Sequence, residues 1–162
     1  GCASYDYGDV GAAAGRQADL LQANQQAADA LLQAARLDPR ASVLVATLVN
    51  VDRLGESSRL GRLCSEQIAG RLVQRGVPVT EVRLREQLAL QPAQGELLLS
   101  RELREVSQAH QAQAVVVGTY AASPRQVFIS LKLVRPEGNL VVAAQDYAVP
   151  MTAELRGLLT GR

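Results

Sequence analysis

The side chains able to do chemistry are few. The chain has two thiols, Cys2 and Cys64, and one imidazole, His110. A nucleophilic triad would need His110 beside a nucleophile and an acid. His110 sits instead in the polar stretch Gln108-Ala109-His110-Gln111-Ala112-Gln113, where a solvated or helix-ending imidazole is expected. Protein zinc sites draw on His and Cys at characteristic spacings, and no such pair occurs in the sequence. Glu102 and Glu105 lie among Arg101 and Arg104, the pattern of an ion-paired helix surface rather than of an acid–base pair. Cys64 falls on an apolar stripe, where a free cysteine behaves as a small core residue. These positions predict no catalytic residue, no metal site and no cofactor.

Two further places carry functional possibilities. Gly55–Gly61 (GESSRLG) could feed a helix N-terminus and cradle an anion. It lacks the Gly-Lys-Ser/Thr of a phosphate loop, and helix capping by Ser57 or Ser58 is the expected role. The other place is Cys2. Gly1-Cys2-Ala3-Ser4 reads like the end of a bacterial lipoprotein signal, in which a small residue precedes the cysteine that takes lipid. The competing reading is an ordinary thiol near the start of the chain. No apolar run approaches the roughly 18 residues a membrane-spanning helix needs, so attachment would be covalent or through a partner. With Cys2 acylated, Cys64 becomes a lone thiol.

Composition narrows the class. The 162 residues are 48% hydrophobic with a net charge of +1, enough apolar material for one domain and a tail. The positive charge is almost all arginine, with Lys132 the sole lysine, and aromatics are 3% with no tryptophan. Neither a basic patch nor a stacking platform is indicated, so no nucleic-acid partner is expected.

The elements that must position these residues follow from periodicity. Residues 1–15, rich in Gly and Ala and without a period, read as a flexible tether, leaving 16–162 as one domain. Arg16–Leu37 has Leu20, Leu21, Ala27, Ala28, Leu31, Leu32 and Ala35 at three- and four-residue steps, an amphipathic helix stopped by Asp38-Pro39. Ser42–Val51 (SVLVATLVNV) is a continuous β-favouring run, the pattern of a strand buried on both faces. A helix capped by Ser57 or Ser58 runs to Arg75 with Leu60, Cys64, Ile68 and Leu72 on one stripe, and Gly76 ends it. Gly61 and Gly70 weaken that helix by about 1 kcal/mol each relative to Ala, and make sense if it lies close against a sheet. Val77–Arg83 reads as an edge strand with an early proline. Leu84–Gly95 is irregular or partly helical, and Glu96–Gln111 reads as a helix. Ala114–Ala121 is a buried strand, and Val127–Val134 and Leu140–Val149 pair across a turn at residues 136–139. The last twelve residues have a weak helical pattern. Helices alternating with early strands, then a meander, predict an α/β (α+β) domain on one mixed sheet of about five strands, in two or three layers.

The ordered set of motifs resembles a known family. Ser57-Ser58-Arg59-Leu60-Gly61-Arg62-Leu63 with Ser65-Glu66-Gln67, then Arg75-Gly76, Glu81-Val82-Arg83-Leu84-Arg85, Gly95-Glu96-Leu97-Leu98-Leu99-Ser100-Arg101-Glu102 and Ala112–Tyr120 are similar to the FlgO family. The likeness covers roughly Ala23 to Met151. It implies a non-enzymatic lipoprotein on the periplasmic side of the outer membrane, lipid-attached at Cys2 and needed for flagellar assembly and motility. Its implied partners are the membrane and other flagellar outer-membrane proteins; the oligomeric state, including a homo-oligomer, is left open by the sequence. Lipoproteins of this kind carry a thioether-linked diacylglycerol and an amide-linked acyl chain on one cysteine. Ala3 and Ser4 lack the aspartate that retains such proteins at the inner membrane. The resemblance extends to the N-terminal domain of TolB and to CsgG, and the alternative it leaves open is an envelope-assembly or secretion component with no flagellar role. Binding is expected at the edge near Val77–Arg83 or on the Ala-rich helix Arg16–Leu37, unless that helix covers its own sheet.

Overall fold

In the computed structural model, residues 3–53, 56–80, 88–91 and 96–160 are described, with the side chains of 19–53, 56–80 and 100–160. Four helices and eight strands occur among them. They are α1 (Ala3–Ala34), β1 (Val43–Val45), β2 (Val49–Asn50), α2 (Arg59–Gln74), β3 (Val79–Thr80), β4 (Leu88–Gln91), β5 (Glu96–Leu99), α3 (Arg101–Ala109), β6 (Ala114–Ala122), β7 (Gln126–Arg135), β8 (Leu140–Pro150) and α4 (Ala153–Thr160).

The main sheet has six strands in the order β3-β1-β6-β7-β8, with β2 also pairing β6. β1 runs parallel to β3 and β6, while β6, β7 and β8 form an antiparallel meander. The connection from β1 through α2 moves outward to β3, and the one through α3 moves back across β1 to β6. Crossovers of one hand running in opposite directions place their helices on opposite faces. The core divides accordingly. One face packs Val43, Val45, Leu48, Val116, Ile129, Leu131 and Leu133 under α1, α2 and α4, and the other packs Leu44, Ala46, Val49, Val115 and Val117 against Leu103 of α3.

β1 and β2 are one expected strand in two pieces. Val45 pairs with Val116 and Val49 with Thr119, so four steps on one strand match three on its neighbour. The extra residue is a bulge. It is held from α2: the Ser57 hydroxyl donates to the Leu48 carbonyl at 2.6 Å, and the Leu48 N–H donates to the Ser65 hydroxyl at 2.8 Å. The Ser65 hydroxyl in turn donates to the Gly61 carbonyl at 2.9 Å. No alternation in SVLVATLVNV could announce this break, because nearly every residue there is apolar.

Other elements sharpen or correct the expectations. Ser58 is the N-cap of α2 and accepts from the Gly61 N–H, and the Leu60, Cys64, Ile68, Leu72 stripe is buried. Gly76 follows with φ +87°, the left-handed conformation that suits glycine. The helix expected over Glu96–Gln111 starts only at Arg101. Ser100 caps it by accepting from Leu103 N–H, and Glu96–Leu99 pairs instead with Leu88–Gln91 in a separate two-stranded sheet. The strand expected over Val77–Arg83 is the two-residue β3, and residues 81–83 lie outside the described residues. The coil expected over 1–15 is helical from Ala3 onward. Ala12, Ala13 and Ala14 favour continuing a helix already nucleated by its packed portion, against a cost of about 1 kcal/mol each for Gly8, Gly11 and Gly15.

Candidate functional site

α1 is docked by a polar node and an ion-pair clamp, both of which run to α2. Leu20, Ala27, Ala28 and Leu31 are buried in the core shared with α2 and β8. Asn24 lies among them, fully buried. Its amide N–H donates to Gln67 of α2 at 2.8 Å, and its amide oxygen accepts from the Tyr147 hydroxyl of β8 at 2.5 Å. Burial pushes the Tyr147 hydroxyl well above the ordinary tyrosine range, so it stays a donor. Burial also pushes the Cys64 thiol up to about 11, an effect partly offset by a hydrogen bond with Asn24. A thiol so protonated and 1% exposed is a core group, as its place on the stripe predicts. The helix expected either to dock a partner or to cover its own sheet does the latter.

One turn further along α1, Asp29 receives two guanidinium forks. Arg71 donates at 3.0 and 2.9 Å and Arg75 at 3.0 and 3.1 Å. The Arg71 hydrogen bonds first, then those of Arg75, hold the Asp29 carboxyl well below the usual carboxylate range. A lowered folded-state pKa stabilises the fold above the unfolded value of about 3.9 and loses that contribution as pH falls further. We expect Asp29→Asn to cost about 1 kcal/mol at neutral pH, a modest figure because solvent screens the pair. The gap between melts of the two proteins should narrow progressively as the pH falls below about 4 and close only near the lowered folded-state value of Asp29. A gap that does not narrow in acid would assign the effect to packing.

The remaining candidate residues are scattered. His110 is the exposed C-cap of α3. Arg101 pairs with Glu105 at 3.0 Å on the same exposed helix. Ser57 and Ser58 spend their hydroxyls on the Leu48 carbonyl and the Gly61 N–H, so the Gly55–Gly61 segment works as a cap and a strand clamp. Gly55 and Cys2 lie outside the described residues. Among the described residues, no group of three His, Cys, Asp or Glu side chains could hold a metal ion, and no helix is long and apolar enough to cross a membrane.

Sequence reasoning missed two features. Asn24 is one: it falls four residues after Leu20 and four before Ala28, on the apolar stripe itself, and that spacing was the available signal. The other is the sheet face away from α1 and α2. Among the described residues, α3 covers the β1–β6 part of it together with Val134 of β7. Toward β8 a shallow groove of about 480 Å³ lies open, lined by Val51, Thr119, Phe128, Ser130, Asp146 and Ala148. Phe128 is 48% exposed there. Alternation in β7 placed Phe128 and Lys132 on one face, but nothing in the sequence says which face a helix will leave bare.

The family model described as FlgO protein matches residues 25–154. No curated protein matches the sequence. Among solved structures, the fold is similar to the LpoB C-terminal domain from Escherichia coli, at 17% identity over 82% of this chain and 99% of that one, with a TM-score of 0.56. The LpoB C-terminal domain from Salmonella enterica is similar at 17% identity over 78% and 95%, TM-score 0.54. A PelC dodecamer from Paraburkholderia phytofirmans is similar at 15% identity over 73% and 77%, TM-score 0.53. At such identities the likeness is one of fold. The kinship expected with TolB and CsgG is not supported.

Proposed function

The chain belongs to the FlgO protein family, and on that premise we propose that it is a non-catalytic envelope lipoprotein, held at the periplasmic face of the outer membrane by lipid on Cys2 and serving as a scaffold for flagellar assembly and motility. The observation that carries this reading is the extent of the family match. It starts at Gln25 in the docked half of α1 and ends at Glu154 in α4, so it spans the sheet and the helices on both of its faces. One acyl chain holds a protein only marginally, and two or more on the same cysteine give stable attachment. In this reading α1 is the spacer as well as a core element. Ala3 to Leu20 as helix spans about 25 Å, which sets the sheet off the membrane surface.

Deleting the gene and scoring swimming and flagellar staining tests the role. Loss of motility or of normal filaments is expected, and normal swimming with normal filaments would overturn it. The anchor is tested separately. A Cys2→Ser protein should move from the membrane fraction to the soluble fraction, whereas retention in the membrane would remove Cys2 as the attachment point.

A further inference from the structure

The long border of the sheet is β8. Its backbone facing follows from one hydrogen bond: the Met151 N–H donates to the Arg125 carbonyl at 2.8 Å. In an antiparallel ladder bonded and non-bonded pairs alternate. With the register of β7 and β8, residues 143, 145, 147 and 149 of β8 therefore bond to β7. Ala144, Asp146 and Ala148 turn their N–H and carbonyl groups outward. The same count across the sheet leaves Val116 and Tyr120 of β6 facing β1 and β2, and their carbonyls do accept from Ala46 and Val51 there. No backbone hydrogen bond among the described residues uses the outward groups of Ala144, Asp146 or Ala148.

Natural sheets blunt such borders with short strands, prolines or charges. On the opposite border the described part of β3 is two residues long and follows Pro78. β8 has eleven residues, and its one proline, Pro150, stands at the end. The single charged residue in the strand is Asp146, midway between Ala144 and Ala148 on the outward-bonding set. It takes part in none of the ion pairs found among the described residues. These three side chains share the uncovered face with Phe128, which pairs with Ala148.

We propose that the β8 edge is a docking site for an extended segment of a partner protein, added as an antiparallel or parallel strand. The segment carries a lysine or arginine opposite Asp146 and apolar residues two positions to either side. Charge chooses this occupant over a second copy of β8. The self-pairing that uses all three outward residues sets Asp146 against Asp146, and like charges directly opposite are destabilising. A cation at that position turns the same site favourable. The apolar flanks lie over Ala144 and Ala148, one of them beside Phe128 and the open groove. Main-chain hydrogen bonds supply affinity and alternate side chains supply selectivity, as in other strand-addition sites. The inference does not depend on the flagellar reading.

The test uses the 162-residue chain and two end-blocked peptides, Thr-Val-Thr-Lys-Thr-Val-Thr and the same sequence with Asp for Lys. Titration is followed by amide NMR shifts. The Lys peptide is expected to perturb the amides of Ala144, Asp146 and Ala148 and to bind about fivefold more tightly than the Asp peptide. Asp146→Lys should reverse that preference, and Ala144→Pro should abolish binding of both while leaving the rest of the spectrum in place. If Ala144→Pro does not fold, the charge reversal decides alone. Shifts elsewhere on the chain, equal binding of the two peptides, or β8 amides already protected by self-association would each overturn the proposal.

Discussion

Gly61→Ala is expected to destabilise the protein by about 3 kcal/mol, the overpacking cost of a site that cannot yield. A Cβ at Gly61 would stand 2.3 Å from the Leu48 carbonyl oxygen, 2.4 Å from the Ser57 hydroxyl and 3.1 Å from the Tyr120 ring. The nearest of these is backbone, and that carbonyl is itself pinned by Ser57. Relief would require α2 to lift from the bulge, breaking the Ser57 and Ser65 hydrogen bonds together. At 162 residues this corresponds to a melting temperature lower by about 9 °C. Gly70, on the same helix, is the internal control. Nothing lies within 4 Å of a Cβ placed there, so Gly70→Ala should raise stability by about 1 kcal/mol through helix propensity alone. Thermal or urea unfolding of the two variants measures both signs. Equal and small effects would mean that α2 does not sit on the strand as closely as described.

The second large effect is expected at Asn24. Asn24→Ala should cost about 3 kcal/mol: two buried hydrogen bonds are lost, and the Tyr147 hydroxyl is left desolvated without its acceptor. The informative variant is the double one. Asn24→Leu alone strands Tyr147, and Tyr147→Phe alone strands the Asn24 amide oxygen. Together they remove donor and acceptor at once and leave Gln67, which is half-buried and can turn to water, and the Cys64 thiol, a weak hydrogen-bonding group. A double-mutant cycle should therefore show the pair costing less than the sum of the singles by 1 kcal/mol or more. Additive costs would mean that the Asn24–Tyr147 contact contributes nothing beyond the space it fills.

These two residues also show what a sequence makes legible here. Helix α2 was readable almost to the residue, because capping serines, a four-residue apolar stripe and a closing glycine state one structure in three independent ways. The β6–β7–β8 meander was readable because strand alternation and a turn agreed. Gly61 was readable as a close approach, but the same argument applied to Gly70 was wrong: a helix has two sides, and only the sheet decides which glycine meets it. The Glu96–Leu99 segment is ambiguous because Leu97, Leu98 and Leu99 fit a helical face as well as a strand, and the cap that starts α3 is Ser100. The edge expected at Val77–Arg83 is a border of the sheet, with β3 (Val79–Thr80) pairing only β1 among the described residues; the other border, β8, is not announced. Sheet order is set by pairing between distant segments, and β8 looks like an interior partner strand until its neighbour list stops at β7. Asn24 stood among Gln and Ala, where a buried amide and a solvated one have the same spelling.

The extra residue between Val45 and Val49 has one more consequence, which concerns phase. Along an unbroken strand odd and even positions keep to their own faces. Here Val43 and Val45 belong to the core under α1 and α2, and so does Leu48. Leu44 and Ala46 belong to the core under α3, and so does Val49. The bulge inverts the alternation midway, exchanging the faces that even and odd numbers address. Leu48 is thereby turned toward Gly61 and Gly118, where its side chain and carbonyl fill the space a Cβ would need. The segment is consequently fixed in length to the single residue. Removing one position would send Leu48 and Val49 to each other's layers, a change of parity that no substitution of one apolar residue for another could repair.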